Sequence, residues 1–186
     1  MPLSDEALVK QHLRGDAQAF AELVTRHTAP VFNLAFRLTG DRAEAENVTQ
    51  EAFLRAYSAL PHSRIELAFK PWLFQIAVNL CRDLARKKHP DAFTDLAQED
   101  KGAPEDEFED EAPLPLDQIK EHELERALAR AVASLPEVYR AAVTLRYTEE
   151  LSYQEIAAVL KLPVNTVRTH LSRAKAMLRQ SLAAWR

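Results

Sequence analysis

The stretch whose residue types and spacing best suit a chemical role lies near the C-terminus. There, small polar and basic side chains alternate with apolar ones. At about 100° per residue, a helix through this stretch gathers its apolar side chains on one face, namely Val164, Val167, Leu171, Ala174 and Leu178. The opposite face carries Asn165, Thr169, Ser172 and Ala176, flanked by Arg168, Arg173, Lys175 and Arg179. Because such cations neutralise phosphates while small polar groups approach base edges, the pattern predicts a helix that enters the major groove of DNA. The alternative is a surface helix with an ordinary basic face.

The element that must position this helix is a short helix directly before it. In LSYQEIAAVL, Ser152 followed three residues later by Glu155 is a capping box. The buried stripe is expected to consist of Ile156, Ala157 and Leu160. Only the four residues KLPV separate the two helices, and Pro163 suits a first helical position. Two short helices joined this closely must cross steeply, which predicts a helix-turn-helix.

A second segment suited to nucleic acid is FKPWLFQIAVNLCRDLARKK at residues 69–88. It interleaves the aromatic and basic residues that base stacking and backbone tracking on a single strand require: Phe69, Trp72 and Phe74 beside Lys70, Arg82, Arg86, Lys87 and Lys88. For Trp72 a core position is the stronger interpretation, because it continues an apolar helical stripe. Asn79 is an amide within an apolar run, and its two donors and one acceptor suit an unpaired base edge.

Composition excludes several other functions. The 186 residues include only 3 Gly, which disfavours an all-β fold and a phosphate-binding loop. The single cysteine, Cys81, excludes an internal disulfide and a cysteine-based zinc site. We expect Cys81 to be a core side chain, and an enzyme that uses it is the least favoured function. The histidines lack metal-ligand spacing, and paired carboxylates are missing from the sequence, so neither catalysis, a small-molecule substrate, a metal nor a cofactor is expected.

The sequence also predicts a cytoplasmic location. No apolar run approaches the ~20 residues of a membrane span, so direct membrane insertion is not expected. The first ten residues carry acids where a signal peptide begins with basic residues.

Charge divides the chain into three parts. Residues 1–89 hold 12 Lys and Arg against 10 Asp and Glu, residues 90–118 hold 1 against 11, and residues 119–186 hold 11 against 7. The middle part also contains four prolines and no sustained apolar period, as is typical of an extended flexible linker. We therefore predict two small domains, 1–89 and 119–186, joined by a flexible acidic linker at 90–118. The alternative for the linker is a specific acidic docking segment.

The other segments have helical patterns, so the predicted fold class is all-α. Ser4 and Gly15 bracket a first helix, and a second ends at Gly40, a typical C-terminal cap. Pro30 should bend or loosen that second helix. A third helix presents one apolar side, formed by Ala45, Val48, Ala52, Phe53 and Ala56.

Two separate motifs resemble one known family. LSYQEIAAVLKLPVNTVRTHLSRAKAML is similar to the region of bacterial RNA polymerase sigma factors that reads the promoter −35 element, in the extracytoplasmic-function (ECF) group in particular. AENVTQEAFLRAYSAL and FKPWLFQIAVNLCRDLARKK resemble the second conserved region of that group, which binds core polymerase and opens the −10 element. The resemblance covers nearly the whole chain and implies a dissociable factor for promoter-specific initiation of transcription.

The resemblance also implies roles for individual residues and the identity of partners. The coiled coil of the largest polymerase subunit would be contacted by Asn47, Gln50 and Glu51. The −10 element would be contacted by Phe69, Lys70, Trp72, Asn79 and Arg82, with a flipped-out base at Asn79. The −35 element would be contacted by Asn165, Thr166, Arg168, Thr169, His170, Ser172, Arg173 and Lys175. The implied partners are core RNA polymerase, promoter DNA and an anti-sigma factor.

Three residues depart from the family pattern. Asn47 stands where Asp is usual, Asn165 where Gly is usual, and His170 where Arg or Lys is usual. The run TVRTHL also occurs in LuxR-type regulators, so the alternative function is a helix-turn-helix regulator that binds operators without polymerase. The N-terminal motifs favour the sigma factor, because LuxR-type proteins have no counterpart to TQEAFLRAY or WLFQIAVN.

Overall fold

The structure, a computed structural model, describes residues 3–62, 68–88 and 116–183, and for 116–122 the backbone alone. Within these residues the regular structure is helical and no strand occurs, which confirms the predicted all-α fold class. Most of the predicted linker lies outside the described residues. Its last three residues, 116–118, belong to the first helix of the C-terminal domain.

The helices of the N-terminal domain begin at residues whose side chains cap them. Ser4, Asp16 and Asp41 each accept a hydrogen bond from a first-turn amide, which satisfies a donor that has no partner within the helix. Gly40 ends the second helix at φ 69°, as predicted, and that helix runs through Pro30 without interruption. The helices are α1 (Asp5–Leu13), α2 (Ala17–Thr39), α3 (Arg42–Ala59) and α4 (Phe69–Lys88), and a short 3-10 turn (Leu60–His62) follows α3.

The core of the N-terminal domain lies where α2 packs against α1, α3 and α4. The predicted apolar side of α3 is buried in it over its whole length. Cys81 is also buried, as predicted, and burial raises the pKa of its thiol to about 12, with the nearby carboxylates of Glu137 and Glu44 adding to the shift. The thiol is therefore protonated and unreactive at neutral pH.

The C-terminal domain contains four further helices and one widened turn. In that turn, Thr144–Thr148, the amide of Glu149 donates to the carbonyl of Thr144 at 3.1 Å, five residues back, as in a π-helix. The helices are α5 (Leu116–Ala133), α6 (Glu137–Val143), α7 (Tyr153–Leu160) and α8 (Val164–Ser181).

Helices α7 and α8 form the predicted helix-turn-helix. The Ser152 hydroxyl accepts from the Glu155 amide at 3.2 Å, and the Glu155 carboxylate accepts from the Ser152 amide at 2.7 Å, so the capping box is complete. Lys161 ends α7 in the left-handed conformation (φ 56°). Pro163 lies one residue earlier than expected, at the cap of α8. Most residues of the predicted stripes are buried: Ile156, Ala157 and Leu160 in α7, and Val167, Leu171 and Ala174 in α8. The two end residues of the α8 stripe, Val164 and Leu178, are half-buried and pack against the core.

The two domains also pack against each other. Helix α4 lies on α7 and α2 lies on α6, so that the buried apolar residues of both domains form one continuous cluster. None of the helices in the described residues has the length and apolar character needed to cross a bilayer.

Candidate nucleic-acid and polymerase interfaces

The outward face of α8 is open to solvent. Its buried side holds the helix against the rest of the C-terminal domain, and this fixes which residues point outward. The hydroxyl of Thr169 donates to the carbonyl of Asn165 at 3.0 Å, within the helix. The exposed residues of the predicted −35 set are Asn165, Arg168, Thr169, Ser172, Arg173 and Lys175.

Two of the cations on this face rest against tyrosines. Arg173 Nη1 lies 3.4 Å from the hydroxyl oxygen of Tyr139 and donates to it, and Lys175 Nζ lies 5.5 Å from the centroid of the Tyr147 ring. Within the described part of the chain, no hydrogen bond or ion pair holds Arg168. The guanidinium of Arg168 is therefore available for a bidentate contact to a base.

His170 and Thr166 differ from the rest of this set because both are half-buried. The His170 ring lies edge-on to Tyr139, with centroids 5.2 Å apart. Burial lowers the pKa of His170, and the neighbouring Arg173 lowers it further. The imidazole is therefore neutral at pH 7, so it does not replace the charge of the Arg or Lys that is usual at this position.

The predicted polymerase-binding residues lie together on one side of α3. Asn47 and Gln50 are exposed, and the Glu51 carboxylate accepts from Arg55 Nε at 2.7 Å. Leu54, which the sequence analysis missed, is 64% exposed beside them and borders a shallow depression. The detectable signal was that Leu54 falls outside the apolar stripe of α3, so its side chain had to face away from the core.

The predicted −10 residues of α4 divide into three groups. The ring of Phe69 is 2% exposed and packs near His27 and Trp72, with ring centroids at 5.5 and 6.0 Å, so in this structure it belongs to the core. Trp72 and Asn79 are half-buried at the surface of the domain. Lys70 and Arg82 are also half-buried, and both contact the C-terminal domain.

Three polar side chains of α4 donate hydrogen bonds to backbone carbonyls of the C-terminal domain. Lys70 Nζ donates to the carbonyl of Glu149 at 2.9 Å and lies 3.3 Å from its carboxylate. Gln75 Nε2 donates to the carbonyl of Ala158 at 2.8 Å, and Arg82 Nη1 donates to that of Leu160 at 3.4 Å. Both carbonyls lie in the last turn of α7, where the helix dipole favours a cation. The Ala158 carbonyl also accepts from the Lys161 amide at 3.3 Å.

Comparison with known proteins identifies the family. The family models described as Sigma-70 region 2 and Sigma-70, region 4 match residues 23–90 and 125–178. The chain is 36% identical to the ECF RNA polymerase sigma factor SigW of Bacillus subtilis (strain 168), over 176 residues that cover 94% of each protein. The chain belongs to the sigma-70 family, in its ECF group. The recognition made from the two sequence motifs is thereby confirmed, and the LuxR-type alternative has no support, because the N-terminal half has a sigma-factor match of its own.

Solved structures agree with this assignment. The sigma factor is similar to CnrH, solved in complex with the cytosolic domain of CnrY, with 28% identity, a TM-score of 0.69 and 97% of each chain covered. It also shares its fold with the sigma factor RpoE from Bartonella quintana, solved with the anti-sigma factor NepR. That likeness has 20% identity, a TM-score of 0.67, and covers 91% of this chain and 100% of the other.

Proposed function

We propose that this ECF sigma factor divides promoter recognition among three helices: α3 binds core RNA polymerase, α4 binds the opened −10 element, and α8 reads the −35 element in duplex DNA. The observation that carries the proposal is the exposed polar and cationic face of α8 on a capped helix-turn-helix. A helix held in this way enters a major groove with its outward side chains against base edges and phosphates.

The polymerase-binding surface in this proposal is the exposed side of α3. Gln50 and Glu51 supply polar groups, and Leu54 supplies exposed apolar area next to them. An apolar centre with a polar rim is the usual composition of a protein interface. Asn47 lies on the same side, so its amide meets the polymerase where the family usually presents a carboxylate.

The −10 surface in this proposal comprises Lys70, Trp72, Asn79 and Arg82. Phe69 is assigned instead to the core, where it supports α4 from beneath. Lys70 and Arg82 would neutralise the backbone of the melted strand, and the Asn79 amide would hold one base outside the stack.

We further propose the division into domains 1–89 and 119–186 with an acidic linker at 90–118, whose last three residues form the start of α5, and an anti-sigma factor as a regulatory partner. The complex of RpoE with NepR supports the second point, since a protein of the same fold binds such a partner. The factor itself is proposed to act in the cytoplasm, where core polymerase operates, and to perform no catalysis of its own.

The experiment that tests the proposed function is run-off transcription with purified core polymerase on a library of genomic fragments. We expect transcripts from a small set of promoters that share −10 and −35 elements, and weak binding to those promoters by the chain without core. Strong, sequence-specific binding without core, together with no transcripts when core is added, would contradict it.

A further inference from the structure

The cations of α8 are divided unequally between the two flanks of its outward face. At about 100° per residue, Arg173 falls on one flank and the other cations fall on the opposite one. His170 shares the flank of Arg173, but its imidazole is neutral at pH 7 because burial and the charge of Arg173 both lower its pKa. Within α8, which the structure describes throughout, Arg173 is therefore the charged side chain of this flank. The cations of the opposite flank are Arg168, Lys175 and Arg179.

The side chain of Arg173 rests on a residue outside the helix-turn-helix. Its Nη1 donates to the hydroxyl oxygen of Tyr139, on α6, across 3.4 Å. The Tyr139 ring is half-buried and lies edge-on to the ring of His170, with centroids 5.2 Å apart. Because α6 and α8 also pack against each other, Tyr139 holds Arg173 from an element that is itself fixed.

We propose that Tyr139 is a positioning residue for −35 recognition, and that its hydroxyl holds the guanidinium of Arg173 in the orientation in which it reads one base. The inference rests on the proposed role of α8 in reading the −35 element. It adds a residue that determines specificity although it lies on α6, away from both helices of the helix-turn-helix.

The hydrogen bond to Tyr139 leaves Arg173 able to make a bidentate contact. A guanidinium carries several N–H donors in a rigid fork, and the Tyr139 hydroxyl accepts from Nη1. The edge formed by Nε and Nη2 has no partner in the described part of the chain. Its parallel donors match guanine, whose O6 and N7 both accept in the major groove. The base that Arg173 reads is therefore expected to be a guanine.

Holding an arginine in place before it meets DNA favours a specific contact. A mobile side chain loses rotamer freedom when it is fixed on a base, whereas a side chain that the protein already holds loses less. Arg168 is the contrasting case, since no hydrogen bond or ion pair holds it within the described residues. Arg173 is thus ordered by the protein, and Arg168 has to be ordered by the DNA.

The test measures run-off transcription by holoenzyme on a mapped promoter in which each −35 position is varied in turn. Tyr139→Phe keeps the ring against His170 and removes only the hydroxyl, and Arg173→Ala removes the side chain that this hydroxyl holds. The matched control is Tyr153→Phe. Tyr153 is another half-buried tyrosine of the same domain, and its ring centroid, rather than its hydroxyl, lies 5.3 Å from the guanidinium of Arg146.

We expect Arg173→Ala to abolish a preference for guanine at one −35 position. Tyr139→Phe should lower initiation about threefold on the template with that guanine, the cost of ordering one long side chain, and have little effect on templates with another base there. The double variant should be no worse than Arg173→Ala, because Tyr139 acts through Arg173. Tyr153→Phe should leave every base preference unchanged.

The inference would be overturned by an unchanged guanine preference in Tyr139→Phe, by a loss that is equal for all bases, or by a preference that does not depend on Arg173. Losses that add in the double variant would also overturn it, since Tyr139 would then support the domain rather than Arg173. This comparison stays decisive even if urea denaturation shows that Tyr139→Phe is less stable.

Failure of the proposed function would give a different result. In that case no −35 position would respond to Arg168→Ala or to Arg173→Ala. Base-specific responses to those two variants, without one to Tyr139→Phe, would contradict only the role of Tyr139.

Discussion

Helices α8 and α4 both carry sequence patterns suited to nucleic acid, yet their polar side chains lie in different environments in the structure. The polar face of α8 is exposed along the helix, whereas the corresponding donors of α4 are bonded to the other domain. The difference follows the state of the DNA that each helix is proposed to bind. A duplex −35 element is present at all times, whereas unpaired −10 bases exist only after polymerase has opened the promoter.

The two helices also differ in what their aromatic residues do. Tyr139 and Tyr147 lie beneath the cations of α8 and orient them. On α4, by contrast, Phe69 is buried and supports the helix itself. At Phe69 the sequence pattern alone did not distinguish a core position from base stacking.

The largest expected effect that bears on the comparison of α4 with α8 is a loss of stability when Phe69 is replaced. Phe69→Ala should lower the free energy of unfolding by about 3–5 kcal/mol, because it removes a buried aromatic side chain. The measurement is urea denaturation. Phe69→Leu is the control, since it retains apolar volume but loses the ring, and we expect it to restore most of the stability and all promoter opening. Normal stability with lost opening in Phe69→Leu would show that the ring stacks on DNA.

The next effect concerns direct reading of duplex DNA by α8. Arg168→Ala should reduce −35-dependent initiation by about 1–3 kcal/mol, the discrimination that one bidentate base contact provides. The measurement is run-off transcription on templates varied at each −35 position. Arg179→Ala, an exposed cation near the end of the same helix, should weaken binding evenly across sequences. Equal losses on all templates for both variants would mean that α8 contacts only phosphates.

A smaller effect is expected from the amide on α4. Asn79→Ala should reduce promoter opening by about 1 kcal/mol, the net worth of a typical hydrogen bond, and should change the base preference at one −10 position. Folding and association with core should stay intact. Permanganate footprinting measures opening, and Asn33→Ala provides a matched loss of an exposed amide on α2. Unchanged base preference would return Asn79 to a purely structural role.

The smallest expected effect is a pH dependence of stability that comes from His170. It tests whether this residue of α8 is a packed neutral ring or a charged group. The pKa of His170 is lowered in the folded protein, so the unfolded chain binds a proton more readily than the folded chain does. Stability should therefore fall as pH decreases through the usual histidine pKa of about 6.5, relative to the non-titrating His170→Gln variant. Denaturation between about pH 7.5 and 5.5 measures the difference. This assignment would be contradicted if the unmodified protein became more stable, relative to His170→Gln, as the pH decreased.

Local chemistry in the sequence was sufficient for most of the fold. The Ser152–Glu155 box, the Gly40 cap and the apolar stripes of α3, α7 and α8 are each determined by residues close together in the chain, and all are present in the structure. The docking of α4 on α7 was not predictable in the same way. Gln75 and Glu149 each contact a partner on the other side of the linker, and neither has a neighbour in sequence that indicates that partner.

The candidate interfaces show the same limit. Periodicity predicted which residues of α8 face outward, because its buried stripe is regular. It did not predict that Phe69 is buried or that His170 is half-buried against Tyr139, since both depend on what another helix places nearby. The exposure of Leu54, by contrast, follows from periodicity alone, because Leu54 lies outside the buried stripe of α3.

The widened turn at Thr144–Thr148 restricts how this chain can change in evolution. Such a turn holds one residue more than an α-helical turn, so the loss of one codon there would let the segment close into an ordinary α-helix. The residues that follow would then keep their present facing, whereas the loss of one residue from the α-helical part of α6 would rotate them by about 100°. That second deletion would move Glu149 away from α4 and turn α8 in a new direction, so the loss of a single residue is tolerated only within the widened turn.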